Sequence, residues 1–361
     1  MRRKAAVIVP ASNEETVIEN TIRSLLLVFR PEDIYVVSDG SSDRTVEIAR
    51  KIIPNVLALP KNHGKASAMN YLIEEKQLPE KYQYIMTIDA DTEINRHYLQ
   101  EALKVFKGDK SHKIACVAGK VQGKKYNWLT YYRLWEYEVF QQVHKSAQSV
   151  INAITVCPGC GTIYRSSVFN KLKIPSETIT EDMDLTIQIH RQKLGKIAFC
   201  PKAIVYTQDP KNLHDYLKQI ERWYTGFWQC LAKNEIPWGG QRIDAELALL
   251  ALEGLFSSLV YFTLIVFAPF AFFKAPLFFI FPFIIDLFVL IPTLSVTAKR
   301  CHANKIFLYL PHFYFLRFLA NVIYLKSYLK VTFGFDHKMK WLKINRYKVL
   351  QEKLWVNPAY Q

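Results

Sequence analysis

Cysteine, acidic charge and any leader-like run are scarce in this chain, and each scarcity removes a class of function. Six cysteines are scattered along it. The one close pair, Cys157-Pro158-Gly159-Cys160, has no second pair or histidine at zinc spacing and no thioredoxin-like helix behind it. A zinc module or dithiol centre is therefore not expected; reduced thiols in a cytosol-facing domain are. The N-terminus passes from Arg2-Arg3-Lys4 into residues 5–9, five apolar residues before Pro10. That run is too short for a signal peptide and suits a first buried strand. Acidic residues number 32 against 47 lysines and arginines, a formal charge of +15. Such an excess fits nucleic acid, an acidic substrate or an anionic membrane surface. No zinc-finger, homeodomain or RNA-recognition signature is present, so no nucleic-acid partner is expected. Internal repeats and low-complexity linkers are lacking too.

What the chain has in abundance is apolar surface. Half of its residues are hydrophobic and 14% are aromatic, with the excess in the last third. A length of 361 residues accommodates one large soluble domain plus a membrane or interaction segment. Residues 254–273 carry no charge and residues 275–298 only Asp286. Each is long enough as helix to cross about 30 Å of hydrocarbon. Lys274 and Pro276 mark a tight turn, so the two read as a helical hairpin; a buried soluble core is the competing reading.

A third segment, 306–325, carries His312, Arg317 and Asn321 and either spans or lies at the interface. Beyond it Lys326, Lys330, Lys338, Lys340, Lys343, Arg346, Lys348 and Lys353 outnumber Asp336 and Glu352, a net +6. That is the pattern of a cytoplasmic juxtamembrane tail, or else of a merely solvated basic helix. The Lys299-Arg300 loop prefers the cytoplasm as well. Two spans plus an interfacial or re-entrant third helix reconcile both preferences. The expected organisation is a catalytic-sized domain over 1–240, a membrane region over 241–330 and a basic tail over 331–361.

Within the first domain, short apolar runs at 5–9, 34–38, 56–59 and 84–88 alternate with helical patterns at 15–29, 43–53 and 65–75. Continuous apolar strands between helices predict parallel βαβ units with both sheet faces covered. Ligands bind such sheets beyond the C-terminal strand ends. The polar motifs fall there: Pro10-Ala11-Ser12-Asn13-Glu14, Asp39-Gly40-Ser41-Ser42-Asp43 and Asp89-Ala90-Asp91.

Each motif has a bland and a chemical reading. Asp89 and Asp91, one residue apart, face one side if the chain stays extended, and can hold a hard cation together with a diphosphate. Asp39 could cap the helix starting near Asp43, but Asp43 is the better cap, which leaves Asp39 for a nucleoside. Lys65, opening a helix, is either solvated or close to an anion. Glu181 and Asp182 precede an apolar-patterned helix (183–189), as caps or as a general base.

Together with Gln219-Ile220-Glu221-Arg222-Trp223 upstream of the apolar stretch, these residues resemble the inverting family 2 glycosyltransferases of GT-A fold, in their membrane-bound branch. The resemblance covers roughly residues 5–235. It implies an α/β catalytic domain with a Rossmann-like, mixed but mostly parallel sheet, followed by transmembrane or interfacial helices. It implies a UDP-sugar donor, with Pro10, Ala11, Glu14 and Asp39 at the uridine, Lys65 nearby and Asp89 at the ribose or diphosphate. Gln219 and Arg222 would engage the diphosphate, and Asp91, with Asp89, would coordinate Mg2+ or Mn2+. It implies Asp182 as general base beside Glu181, Trp223 as the floor of the acceptor site, and Gly159, Gly161 and Arg165 near the acceptor. Processive synthases of this branch usually have membrane helices before the catalytic domain, whereas this chain starts at its first strand. Transfer to a lipid acceptor, or to a polysaccharide with an export partner or homo-oligomer, is then expected alongside single-chain polymerisation. A non-catalytic nucleotide-sugar-binding or scaffold protein is the alternative, and its mark would be loss of Asp91 or Asp182; both are present.

Overall fold

The computed structural model describes residues 2–271, 273–274, 276–334 and 346–347. The chain runs β1 (Arg3–Ala11), α1 (Ile18–Leu25), β2 (Ile34–Asp39), α2 (Thr45–Arg50), β3 (Asn55–Leu59), α3 (Lys65–Glu75), α4 (Leu78–Lys81), β4 (Tyr82–Thr87), β5 (Glu93–Ile94), α5 (Tyr98–Gly108) and β6 (Ile114–Gly123). It continues with α6 (Trp128–Val139), a π-helical turn, α7 (Ser146–Ile151), β7 (Thr162–Arg165), α8 (Glu181–Arg191), β8 (Lys196–Thr207) and α9 (Leu213–Lys233). Three long apolar helices follow: α10 (Arg242–Ala271), α11 (Pro276–Arg300) and α12 (Leu310–Thr332).

The strands form one eight-stranded sheet in the order β3-β2-β1-β4-β7-β6-β8-β5. Pairings β2–β3, β1–β2, β1–β4 and β6–β8 are parallel, while β7 and β5 run antiparallel to their neighbours. The predicted βαβ alternation accounts for the first half of this sheet. The two antiparallel strands sit in the second half, where apolar runs are short and interrupted.

Strand periodicity explains why both faces are covered. In β1, Val7 and Val9 pack with Ile18, Ile22 and Leu25 of α1 on one face. Ala6 and Ile8 pack with Ala68, Met69 and Leu72 of α3 on the other. Each buried Val, Ile or Leu contributes about 1.5–3 kcal/mol of transfer free energy, so the continuous apolar run holds both helix layers.

The apolar helices begin and end differently from the sequence expectation. Helix α10 starts at Arg242, well before residue 254, because Ile243, Leu247 and Ala251 pack against Trp228 and Leu231 of α9. Phe273 and Lys274 form the turn into α11; Ala275 lies outside the described residues. Asp286, the lone charge of the second apolar run, accepts two hydrogen bonds of 2.7 Å from the Arg317 guanidinium of α12. By length and composition three helical stretches can cross a membrane: Arg242–Leu264, Ile280–Arg300 and Asn304–Thr332.

The last of these also lies against α6 and α9 from end to end. His312 lies tilted against Trp128 at 5.0 Å and Phe313 packs edge-on to Tyr132 at 5.0 Å, both near the start of α12. Near its end Tyr324 meets Tyr224 at 5.0 Å and Tyr328 meets Trp228 at 4.8 Å. The tail residues Lys338, Lys340, Lys343, Lys348 and Lys353, with Asp336 and Glu352, lie outside the described residues.

Candidate active site

Strand ends and helix starts bring residues to one edge of the sheet: the ends of β1, β2, β4 and β8, the approach to β7, the first residues of α3 and α8, and α9. The β1 end supplies Pro10 and Ala11, paired with Val37 and Ser38 of β2, and then Glu14. Asp39, 4% exposed, accepts the backbone amides of His63 at 2.7 Å and Gly64 at 2.9 Å. Asp43 takes the Thr45 amide at 3.0 Å at the start of α2. Helix entry is therefore the work of Asp43, and Asp39 braces the turn that launches α3. Gly64, at φ +88°, makes that turn, and Lys65 is the first residue of α3.

Lys65 is the hub of the cluster. Its Nζ lies 2.7 Å from Asp89 and 2.7 Å from Glu181. Burial acts to lower its pKa, but Asp89, Glu181 and Asp182 outweigh that and raise it well above the usual value. Burial likewise pushes the Asp89 carboxyl up, yet Lys65, Arg346 and Arg222 bring it below the ordinary range. A free solvated lysine is therefore not what the structure shows.

The chain does not stay extended between Asp89 and Asp91. It turns at Ala90–Asp91, the Thr92 amide donating to the Asp89 carbonyl at 3.1 Å. Asp91 is nevertheless directed to the same edge, where its carboxylate meets Arg346 Nη1 at 2.5 Å. Arg346 Nε also donates to Glu14 at 3.2 Å.

Glu181 and Asp182 open α8, whose first turn holds three carboxylates, Glu181, Asp182 and Asp184. The helix N-terminus favours such anions. Asp182 accepts the amides of Gly159 at 3.0 Å and Met183 at 2.8 Å. Burial foremost, then Glu181 and Asp89, raise the Asp182 pKa, with Lys65 and the Gly159 amide opposing. A carboxylate held in place by two amides with its proton affinity raised is equipped to accept a proton.

Gly159 lets this happen, since a Cβ there would lie 3.0 Å from Lys65 Nζ. Gly161 directly precedes β7 and is packed against the sheet instead: its carbonyl accepts from Tyr98 Oη at 2.9 Å, and a Cβ would meet Val205 at 2.9 Å. Arg165 donates to the Ile114 carbonyl at 2.6 Å and Asp109 at 3.2 Å, away from the carboxylate cluster.

Helix α9 brings the last group. Gln219 is 7% exposed, and its Oε1 has no hydrogen-bond partner among the described residues. The Trp223 ring lies 4.6 Å below the Arg133 guanidinium of α6. Gly226 seats α9 directly on Thr180, the residue before Glu181, where a Cβ would fall 2.4 Å from the Thr180 methyl.

The family profile described as glycosyltransferase like family 2 matches residues 3–226, which include every candidate named above except Arg346. The chain belongs to glycosyltransferase family 2. It is 29% identical over 229 residues to the poly-beta-1,6-N-acetyl-D-glucosamine synthase of Staphylococcus aureus, covering 62% of this chain and 54% of that one. The Staphylococcus epidermidis protein of the same name is 29% identical over 232 residues, covering 62% and 55%. The chain spans about half the length of the curated relatives it matches. Among solved structures, the mannosyltransferase PcManGT from Pyrobaculum calidifontis, in complex with GDP-Man and Mn2+, superposes with a TM-score of 0.60. That match has 17% identity and covers 93% of this chain and 89% of that one. It shows the GT-A fold.

In this glycosyltransferase three functional candidates have no counterpart in the sequence expectation. Asp209, 1% exposed just after β8, accepts from Tyr137 Oη at 3.0 Å and lies 3.5 Å from Arg133. Burial, with Asp91 adding to it and Arg133 and Tyr137 opposing, pushes its carboxyl up to about 6. Its signal was available, because it stands at the C-terminal end of a strand as Asp39 does. Arg133, 3% exposed between the rings of Trp223 and Tyr137 at 4.6 Å from each, sits in an aromatic helix that carries no motif. Arg346 reads in the sequence only as one more positive charge of the tail.

Proposed function

We propose that this enzyme transfers a sugar from a UDP-sugar to a hydroxyl of a membrane-associated acceptor, with inversion at the anomeric carbon. The observation that carries the reading is the Asp182 carboxylate. It is fixed by the Gly159 and Met183 amides, raised in proton affinity, and set beside the Lys65–Asp89–Glu181 network at the strand-end edge.

The chemistry follows from the charges. Asp182 takes the proton of the acceptor hydroxyl, and the freed oxygen forms a bond to the anomeric carbon as the bond from that carbon to the diphosphate oxygen breaks. The nucleoside diphosphate leaves with the electron pair. Lys65 and Arg222 offset the charge that develops there, and the unpartnered Gln219 Oε1 offers an acceptor to a donor group of the same ligand, such as a hydroxyl. A single displacement of this kind inverts the anomeric configuration.

Asp91 and Asp89 are the residues that would hold Mg2+ or Mn2+. One or two carboxylates plus phosphate oxygens suffice for such an ion, and the Arg346 guanidinium on Asp91 marks the place as one that takes a cation. When bound, the metal supplies charge neutralisation of the diphosphate. Asp39 and Glu14 line the nucleoside side, and Trp223 the acceptor side.

The membrane reading rests on the apolar helices, with α10 and α11 crossing and α12 lying at the cytoplasmic interface against the catalytic domain. The names of the staphylococcal relatives favour a growing polysaccharide as acceptor. The test is incubation of the membrane-purified protein with a panel of radiolabelled UDP-sugars, UDP-N-acetylglucosamine first. Product is then separated into lipid-extractable and high-molecular-weight fractions. Label in the high-molecular-weight fraction is the expected result. Label confined to the lipid fraction would replace the polymer with a lipid acceptor, and no transfer from any donor would overturn the reading.

A further inference from the structure

Where α10 crosses α12, the helices leave a groove of about 720 Å³ that none of the candidate catalytic or donor-binding residues lines. Its walls are Tyr261, Phe262 and Val266 of α10 and Phe318, Val322 and Leu325 of α12. The polar groups at the crossing are spent on each other: Ser258 Oγ donates to the Gly254 carbonyl at 2.7 Å and lies 3.1 Å from Asn321 Oδ1. Along its length the groove therefore offers a ligand little besides apolar surface.

One end is different. Lys326 and Lys330 of α12 stand there around Glu221 of α9, with nitrogen–oxygen separations of 3.0 and 3.9 Å. That end carries two ammonium groups and one carboxylate, and Lys326 is 59% exposed. An apolar trough with cations at one end matches an apolar chain with an anion at its head. The depth is right as well. The lysines lie where α9 of the catalytic domain meets the apolar helices, which is the headgroup level of a bilayer crossed by α10 and α11.

We propose that this groove binds a membrane lipid with an anionic phosphate headgroup, its chains along Phe262, Val266 and Val322 and its phosphate at Lys326 and Lys330. The proposal rests on the membrane reading of α10 and α11 and not on the transfer reaction. Glu221 lies in the Gln219–Trp223 string, so the bound headgroup touches the helix that carries the diphosphate and acceptor candidates.

The experiment is lipid retention without any donor. The full chain is reconstituted in vesicles of phosphatidylcholine and phosphatidylglycerol in equal amounts and re-extracted, and bound lipid is counted by native mass spectrometry. Retained phosphatidylglycerol should exceed phosphatidylcholine roughly five- to thirtyfold, as one or two lysine–headgroup contacts provide. Lys326→Gln/Lys330→Gln should abolish the preference. Val322→Trp, which fills the groove, should reduce retention of both lipids while the unfolding temperature of the catalytic domain stays put. Equal retention of the two lipids, or an undiminished preference in the double variant, overturns the proposal. So does loss of the lipid on adding millimolar inorganic phosphate, which would make the end a site for free phosphate. Because no sugar is transferred, these outcomes are independent of whether the proposed reaction holds.

Discussion

Arg346 and Asp91 are 255 positions apart in the chain and 2.5 Å apart in space, the guanidinium resting on the carboxylate expected to hold a divalent cation. Glu14 holds the same guanidinium from the other side at 3.2 Å. The next residue, Tyr347, donates its hydroxyl to the Asp209 carbonyl at 2.8 Å. This part of the tail is thus anchored on three strand-end segments. A guanidinium and a divalent ion cannot share Asp91 without repelling each other. Arg346→Ala should therefore tighten Mn2+ binding in the absence of nucleotide by at least roughly five- to tenfold, about 1 kcal/mol or more for a largely buried ion pair. Electron paramagnetic resonance of free Mn2+ reads this directly. Unchanged affinity would separate Arg346 from the cation site.

The Asp182 assignment makes two linked predictions. Asp182→Asn should lower transfer by about 10²–10⁴-fold while UDP affinity, measured calorimetrically, stays within a factor of two to three. In the native protein the raised Asp182 pKa places the acid limb of log kcat/KM above the ordinary carboxylate range, since the deprotonated form is the active one. Glu181 contributes to that rise, so Glu181→Gln should move the acid limb to lower pH. An acid limb that moves upward, or an active Asp182→Asn enzyme, would remove Asp182 from the role of base.

The carboxylates were legible in the sequence because local signals carried them: an apolar run and a polar turn flank Asp39 and Asp89, and Asp182 opens an apolar-patterned helix. What it did not make legible depends on contacts between distant segments. The antiparallel β7 and β5 have only 4 and 2 residues and gain their identity from their sheet neighbours. Arg133 has no motif, and its meaning comes from Trp223, ninety positions later, lying under it. Gly161 was expected near the acceptor by its place in a glycine-rich segment, yet backbone packing against Val205 accounts for its lack of a side chain. Burial also turned Lys65 from a helix-start cation into the bridge between Asp89 and Glu181.

Gly226 is where two of the motif segments touch. A methyl group there would sit 2.4 Å from the Thr180 methyl and 2.5 Å from its hydroxyl. Gly226→Ala should cost about 1–3 kcal/mol by overpacking and should displace Glu181 and Asp182 along with Thr180. Denaturant midpoints in detergent would show the loss. The double variant with Thr180→Ala should recover part of it, since the alanine removes the two nearest of the three clashing atoms and leaves the Thr180 Cβ position at 2.9 Å. Full stability of Gly226→Ala alone would show that α9 and α8 are less tightly seated than the geometry implies.

Asp209 supplies a prediction about stability rather than rate. Its carboxyl, almost wholly buried, is pushed from 3.8 up to about 6, chiefly by burial, with Arg133 and Tyr137 opposing. A carboxyl whose pKa is raised on folding helps the folded state while protonated, and that help is lost as pH rises through the folded value. The window therefore runs from about pH 4 to about pH 6, and the full difference is about 3 kcal/mol, as two pKa units imply. Asp209→Asn stays neutral throughout. The stability of the variant minus that of the native enzyme should rise by about this amount between pH 4 and 6 and level off above it, because other titrating groups cancel in the difference. Urea titrations at half-unit pH steps on the two proteins measure it. A difference that stays flat with pH would mean that Arg133, 3.5 Å away and wedged between Trp223 and Tyr137, compensates the buried charge in full. In that case Arg133→Met should destabilise strongly above pH 6 and much less below pH 4, where the carboxyl no longer needs its partner.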